Sequence, residues 1–238
     1  MRKSRFDLWH WAILLPALLL ALPVLVIFSS VFNPQPDVWQ HLRQTVLADY
    51  VINSLLLAAG TGLGAMTTGT LCAWLVSRYQ FTGRRVMEWL LLLPLAMPAY
   101  IIAYTYTGML DFAGPLQSAL RAQFDWRYGD YWFPQIRSLG GAIVMLSLVL
   151  YPYVYMLARA AFREQSASLL EASRTLGLTP WQHLKKVALP LARPAILTGT
   201  ALAMMEAFAD YGTVQYFGVT TFTTGIFRTW FGMGNQVA

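Results

Sequence analysis

Residues 171–190 read EASRTLGLTPWQHLKKVALP, a charged, amphipathic segment set between two long apolar runs, 139–162 and 195–216. Each flanking run is long enough to cross a bilayer core as helix, which takes about 20 residues. A polar island between two such runs is the loop of a membrane protein. Working outward, further apolar runs lie at 9–31, 51–77 and 86–110, giving five complete spans, with a sixth beginning near Thr223. The expected fold is an all-α polytopic membrane protein. Residues 1–46 form the first helix and an outside loop, and residues 47–238 form the main transmembrane domain with the loop 163–194. The chain stops at Ala238 with no further apolar run, so the domain reads as incomplete at its C-terminal end.

Composition agrees with this class. Hydrophobic residues make up 57% of the chain and charged residues 12%, against about 45–50% and about 25% in soluble domains. Cytoplasmic loops are enriched in Lys and Arg. With the N-terminus inside, Arg2, Lys3, Arg5, Arg78, Arg84, Arg85, Arg159, Arg163, Arg174, Lys185, Lys186 and Arg193 are cytoplasmic. Only Arg43, Arg121, Arg127, Arg137 and Arg228 fall outside. That asymmetry places the 163–194 loop in the cytoplasm. It also accounts for the net charge of +6 without a nucleic-acid partner, because the cations gather at span ends.

The first run follows a basic start, as a secretory signal would. Its length exceeds the roughly 7–15 residues of a signal core and no small-x-small site closes it, so it reads as a retained helix. The single cysteine, Cys72, lies within the second span and excludes a disulfide framework. Gly60-Thr-Gly62-Leu-Gly64-Ala65 fits a loose dinucleotide fingerprint, but it lies mid-span rather than between a strand and a helix. It reads instead as a packing ridge, with Gly60 and Gly64 four apart and Thr61, Ala65 and Thr68 extending the small face. No phosphate-binding G-x-x-x-x-G-K-[ST] loop is present. The histidines, His10, His41 and His183, show no ligand spacing.

Pro94 and Pro98 interrupt the third run and Pro152 the fourth, each removing a backbone donor that neighbours must replace. Breaks of this kind line pathways in transporters, and they also occur in passive helices. Between those runs, 111–138 is an outside loop rich in aromatics, including Trp126, Tyr128, Tyr131, Trp132 and Phe133. Interfacial anchoring is its ordinary use; docking of an external protein is the sharper one.

Within the 163–194 loop, Ser168-Leu-Leu-Glu171 has the form of a capping box that starts a short helix. The helix runs through Leu169, Leu170, Ala172, Ser173 and Leu176 to Gly177, which tolerates the left-handed backbone of a helix stop. Thr179 caps a second helix with Pro180 at its first position. Trp181, Leu184 and Val187 share one face of it, and Pro190 and Pro194 end the segment. Two helices this short are unstable alone in water. They need a surface, either the membrane or a partner's groove.

The segment resembles the cytoplasmic motif of ABC-importer permeases, the membrane subunits of binding-protein-dependent uptake systems, written EAA, then Gly, then a closing apolar-Leu-Pro. Glu171-Ala172 opens it, Gly177 follows six residues after the Glu, and Val187, Leu189 and Pro190 close it. Ser173 stands where Ala is usual and Val187 where Ile is common. The resemblance implies a type I importer permease fold in which this loop is the coupling helix, docked in a groove of a separate ATPase. Leu169, Leu170, Ala172 and Leu176 would fill that groove. Glu171 would brace the helix start and pair with a nearby cation, and Gly177 would permit the turn. Also implied are an ATPase dimer, a periplasmic substrate-binding protein and a second permease half, fused or separate. No cofactor is bound by this chain, since ATP is hydrolysed by the partner.

In the fifth span Glu206 and Asp210 lie four apart, where each charge costs roughly 2.5–3.5 kcal/mol on insertion scales. Such an acidic pair marks a pathway and suits a cationic or hard-metal substrate. It would equally be explained by neutralising a basic neighbour. The run 206–218, EAFADYGTVQYFG, with 221–230, TFTTGIFRTW, resembles the ferric-iron branch of these permeases. That makes Glu206, Asp210 and Tyr211 the candidate pathway residues for iron(III). Whether any of them ligates metal stays open. Thiamine, sulfate and polyamine are alternative substrates within the class. A secondary transporter would also carry broken helices and buried acids, but it has no use for this cytoplasmic spacing. A membrane-embedded enzyme would need a convergent catalytic set that the sequence does not display.

Overall fold

The computed structural model describes residues 8–30, 32, 36–127, 129–165 and 167–232; the side chains of residues 8, 9, 30, 36–38, 167 and 170 lie outside that description. Arg2, Lys3, Arg5 and Tyr128 are therefore among the residues not described. The chain divides into two units, Asp49–Gly225 and a second formed by Met1–Ala48 with Ile226–Ala238. Among the described residues there is helix and no strand.

In the smaller unit, α1 (Leu8–Ser30) is apolar along its whole length. A helix of this length with no polar face is suited to lipid. It is followed by α2 (Pro36–Thr45), a short amphipathic helix.

The larger unit holds α3 (Leu47–Arg78), most of which lies within it, and α4 (Arg84–Leu90). A 3₁₀ turn (Leu93–Ala96) leads to α5 (Ala99–Leu110) and α6 (Pro115–Phe124). Then come α7 (Leu139–Glu164), α8 (Ala167–Thr175) and α9 (Pro180–His183). A π turn (Leu184–Ala188) passes into α10 (Leu189–Ala209), and α11 (Gly212–Tyr216) follows. Helix α12 (Phe222–Gly232) starts where a sixth span is expected.

The core is built on close approach at glycine. A Cβ on Gly69 of α3 would lie 2.7 Å from the Tyr151 carbonyl oxygen of α7, and one on Gly199 of α10 would lie 2.7 Å from the Val154 Cα. Gly60 and Gly64 face Ile143 and Ser147 of α7, while Gly62 faces Met204 of α10. The expected small-residue ridge is therefore real, and it lets α7 pack between two backbones. Leu57, Leu146, Val154, Tyr155 and Ala203 fill the interior. At its outer end α3 holds the start of α12: Asn53 Nδ2 donates to the Thr220 carbonyl at 2.9 Å, and Ser54 Oγ accepts from Phe222 N at 3.0 Å.

Three expectations about the spans meet the structure differently. First, five spans with a break in the third agree with it: among the described residues His10–Ser29, Leu47–Arg78, Leu139–Glu164 and Pro180–Ala209 are each long and apolar enough to cross a membrane, and a bent pair makes a fifth if counted as one span. That pair is the third predicted span, broken as its prolines imply, with Arg84–Ala96 and Ala99–Phe124 meeting at 97°. Pro94 opens the 3₁₀ turn and Pro98 lies at the corner, where the missing amides and fixed φ favour a bend. Second, Pro152 does not interrupt α7, which runs through it as a buried residue. Third, Pro190 and Pro194 do not end the loop segment. Pro190 sits in the first turn of α10, and the wide π turn before it, closed by Leu189 N–H on the Leu184 carbonyl, relieves its ring. The result is one helical rod of 30 residues, about 45 Å long at 1.5 Å per residue. That exceeds a hydrocarbon core of about 30 Å, so its first turns, with His183, Lys185 and Lys186, stand outside the lipid.

Candidate functional site

The loop helices fold as their caps dictate. Gly177 has φ of +76°. Its N–H donates to the Arg174 carbonyl at 2.9 Å and Leu178 N–H donates to the Ser173 carbonyl at 3.0 Å, the two bonds of a Schellman stop. An added Cβ on Gly177 would meet nothing within 4 Å, so the glycine answers a backbone requirement and not a crowded space. Two residues on, Thr179 Oγ1 accepts from Gln182 N at 3.3 Å, while Gln182 Oε1 accepts from Thr179 N at 3.0 Å. This reciprocal capping box with Pro180 behind it fixes the start of α9. Helix α8 opens at Ala167, so Ser168 and Glu171 both lie within it.

The faces differ from expectation. Trp181 is 53% exposed and lies under the Lys185 ammonium, 4.7 Å from the ring centre. The inward residues are His183, Leu184 and Ala188, with Val187 half-buried. His183 Nδ1 lies 3.0 Å from Ser173 Oγ, both groups buried, tying α8 to α9 across the Gly177 turn. Burial first, and then the Arg78 and Arg174 charges, hold the His183 pKa below its ordinary value. The Ser173 hydroxyl itself donates back to the Leu169 carbonyl at 2.8 Å, which leaves its oxygen to accept from His183. Sequence spacing assigned neither residue a role. The signal was Ser173 itself, a hydroxyl where the resembling motif carries alanine. Gln165 Nε2 adds a bond to the Ala188 carbonyl at 3.0 Å and secures the π turn to the end of α7.

Of the proposed docking residues, Leu176 is 79% exposed, Ala172 is exposed and Leu169 is half-buried. The Leu170 side chain lies outside the described residues. Glu171 is exposed and takes part in none of the three ion pairs found among the described residues. Pro190 is half-buried at the head of α10.

Glu206 and Asp210 do not share a helix face. Helix α10 ends at Ala209, and Asp210 turns extended with ψ of 126°. Its carboxylate accepts from Val214 N at 3.1 Å and from Thr213 Oγ1 at 3.0 Å, which ties the end of α10 to the first turn of α11, whose N-cap position is Tyr211. Thr223 Oγ1 donates to the Asp210 carbonyl at 2.8 Å and closes the same junction. The sequence signal was there, an Asp before a short helix. Glu206 is left alone on an exposed strip of α10 with Leu202, Met205 and Phe208. Tyr211 is half-buried beside the junction. Among the described residues no group of three or more His, Cys, Asp or Glu side chains could hold a metal ion.

The aromatic loop is more ordered than a loop reading implied, because it contains α6. Arg121 donates to Tyr131 Oη at 2.9 Å and to the Phe112 carbonyl at 2.8 Å, and its guanidinium lies 4.1 Å from the Phe112 ring centre. Tyr131 Oη in turn donates to Gln117 Oε1 at 2.7 Å. Trp126 stacks on both Phe124 and Tyr131. Trp132 projects at 86% exposure.

A bundle of apolar helices joined by an ordered polar helix pair defines a multi-pass helical membrane protein. More narrowly, residues 65–235 match the family described as binding-protein-dependent transport system inner membrane component, and the chain belongs to that family. It is thus a transport component of the inner membrane and not an enzyme. The chain is 28% identical over 182 residues to an Fe(3+)-transport system permease protein, FbpB 2, of Haemophilus influenzae, a match spanning 76% of this chain and 31% of that protein. It is 30% identical over 171 residues to the sulfate transport system permease protein CysT of Escherichia coli K12, spanning 72% of this chain and 58% of that one. The chain therefore matches less than two thirds of the length of these relatives. A crystal structure of a bacterial alginate ABC transporter, in complex with an alginate pentasaccharide-bound periplasmic protein, aligns with a TM-score of 0.75 at 17% identity, covering 96% of this chain and 85% of the other. The fold is that of a type I ABC importer permease.

Proposed function

We propose that the chain is the pathway-forming membrane subunit of an ATP-driven importer, with its N-terminus in the cytoplasm. In this reading α8 and α9 dock in a groove of a separate ATPase dimer, which binds and hydrolyses the ATP. A periplasmic binding protein delivers substrate, and a second permease half, fused or separate, completes the pathway. The carrying observation is Leu176: a leucine at 79% exposure, beside the capped turn that joins the two helices, is an apolar group that an external surface would cover. The test is a reconstituted complex with the ATPase and the binding protein. Leu176→Asp should insert normally and cut substrate-stimulated ATP hydrolysis more than tenfold. Full stimulation in that variant would refute the docking assignment.

For substrate, the reading is iron(III), supported by the likeness to the ferric-iron permease and by Glu206, an exposed carboxylate on the wall of α10 suited to a cation. Sulfate is the second reading, supported by the likeness to the sulfate permease. Uptake of labelled ferric citrate against labelled sulfate, by proteoliposomes with each binding protein, separates them. Glu206→Gln should depress ferric uptake and leave sulfate uptake unaffected.

A further inference from the structure

At the end of the bundle where α3 turns into α4 there is a cleft of about 540 Å³, lined by Gln80, Phe81, Arg84, Arg85, Glu88 and Arg163 among others. Its charges do not cancel. Glu88 is claimed by Arg84, 3.1 Å away, and from the other side by Arg159 of α7. The Glu88 carbonyl also accepts from Tyr155 Oη at 3.3 Å, so the carboxylate is fixed in place as the back wall. Arg85 and Arg163 are exposed, line the cleft and take part in none of the ion pairs among the described residues. Arg163 lies in the last turn of α7, and Arg84 and Arg85 begin the broken third span. Cations at span ends lie at the depth of lipid headgroups, and Phe81 and Val86 give the same cleft an apolar lining beside them.

We infer that this cleft binds a phosphate group, presented by an anionic phospholipid at the bilayer surface. Guanidinium forks match phosphate oxygens in pairs, and basic pockets between membrane helices hold anionic headgroups in this way. Arg85 and Arg163 supply the two open forks. Arg84, held by Glu88, adds charge at the floor. A lipid bound here would bridge the start of α4 and the end of α7, the helix that leads into α8. The orientation given under Proposed function puts the cleft in the cytoplasmic leaflet.

The purified full chain in nanodiscs containing phosphatidylglycerol and phosphatidylcholine tests this, with co-purifying lipid measured by mass spectrometry after detergent extraction. Phosphatidylglycerol should be retained in preference, and Arg85→Gln or Arg163→Gln should each lower its retention about fivefold. The pair Arg85→Lys with Arg163→Lys keeps the charge and should restore most of the retention, which separates a lost anion site from a damaged fold. Inorganic phosphate titrated into phosphatidylcholine-only discs is the second arm. Binding there that requires Arg85 and Arg163, without lipid preference, assigns the same phosphate site to the free ion. Lipid retention unchanged in the Gln variants, or lowered equally by Arg228→Gln, overturns the site. Labelling of Thr82→Cys in a Cys72→Ala background reports the face on which the cleft opens. A wrong orientation and a missing site thus give different results.

Discussion

The glycine-packed core and the helix pair α8–α9 are stabilised in opposite ways. Around Gly69 and Gly199, backbones lie so close that a single methyl group would collide with main chain. Around Gly177 there is nothing within 4 Å for a methyl group to strike. One region is specified by what it touches within the chain. The other is held at its turn by caps and by the Ser173–His183 contact, and it keeps its apolar tip uncovered. The difference teaches that sensitivity to mutation in the core reports folding, whereas sensitivity in the helix pair reports a partner.

The largest effect should come from the core. Gly69→Ala forces a Cβ within 2.7 Å of the Tyr151 carbonyl, and overpacking of this kind costs about 1–3 kcal/mol. A clear fall in melting temperature in detergent is expected for it and for Gly199→Ala. Next comes Gly177→Val, which meets no clash but must hold φ near +76°, at about 1–2 kcal/mol for a non-glycine residue. Gly177→Asn should recover most of that loss. Equal damage from Asn and Val would break the comparison, because it would mean that space and not backbone angle is limiting.

A smaller effect concerns His183. Its folded pKa is lowered by burial and by Arg78 and Arg174. Below the ordinary histidine value of about 6.5 the unfolded chain therefore binds the proton first. The stability held above that pH is lost as pH falls toward the folded value. Melting temperature measured across that window should drop on acidification in the wild type, and less so in His183→Gln. The smallest effect is expected for Leu176→Ser, within about 0.5 kcal/mol of the wild type as for most exposed positions. A marked loss of stability there would show that Leu176 is covered by its own chain.

Much of this was legible where the code is local. The Gly177 stop and the Thr179-Pro180 start need only neighbouring residues, and the Gly60–Gly64 ridge needs only helical spacing. What escaped depended on three dimensions. Ser173 and His183 meet because a left-handed turn folds two helices together, so no single-helix periodicity links them. Trp181 reads as part of an apolar face until Lys185 is seen to cover it. Glu206 and Asp210 share a face only while the helix continues, and Asp210 ends that helix and bonds to the first turn of the next. The prolines were legible at one break and misleading elsewhere. Pro98 sits at a corner of 97°, whereas Pro152, Pro190 and Pro194 are absorbed by packing or by the π turn.

That π turn carries a mechanical consequence. Because α9, the turn and α10 are one continuous rod, a tilt with Ala188 as fulcrum would carry the capped helix pair on a short arm and Glu206 on a long one. Eighteen residues of helix separate fulcrum from carboxylate, about 27 Å at 1.5 Å per residue. A tilt of about 5° at the fulcrum sweeps the carboxylate sideways by about 2 Å, a stroke comparable to the width of an ion, obtained without unfolding a single turn.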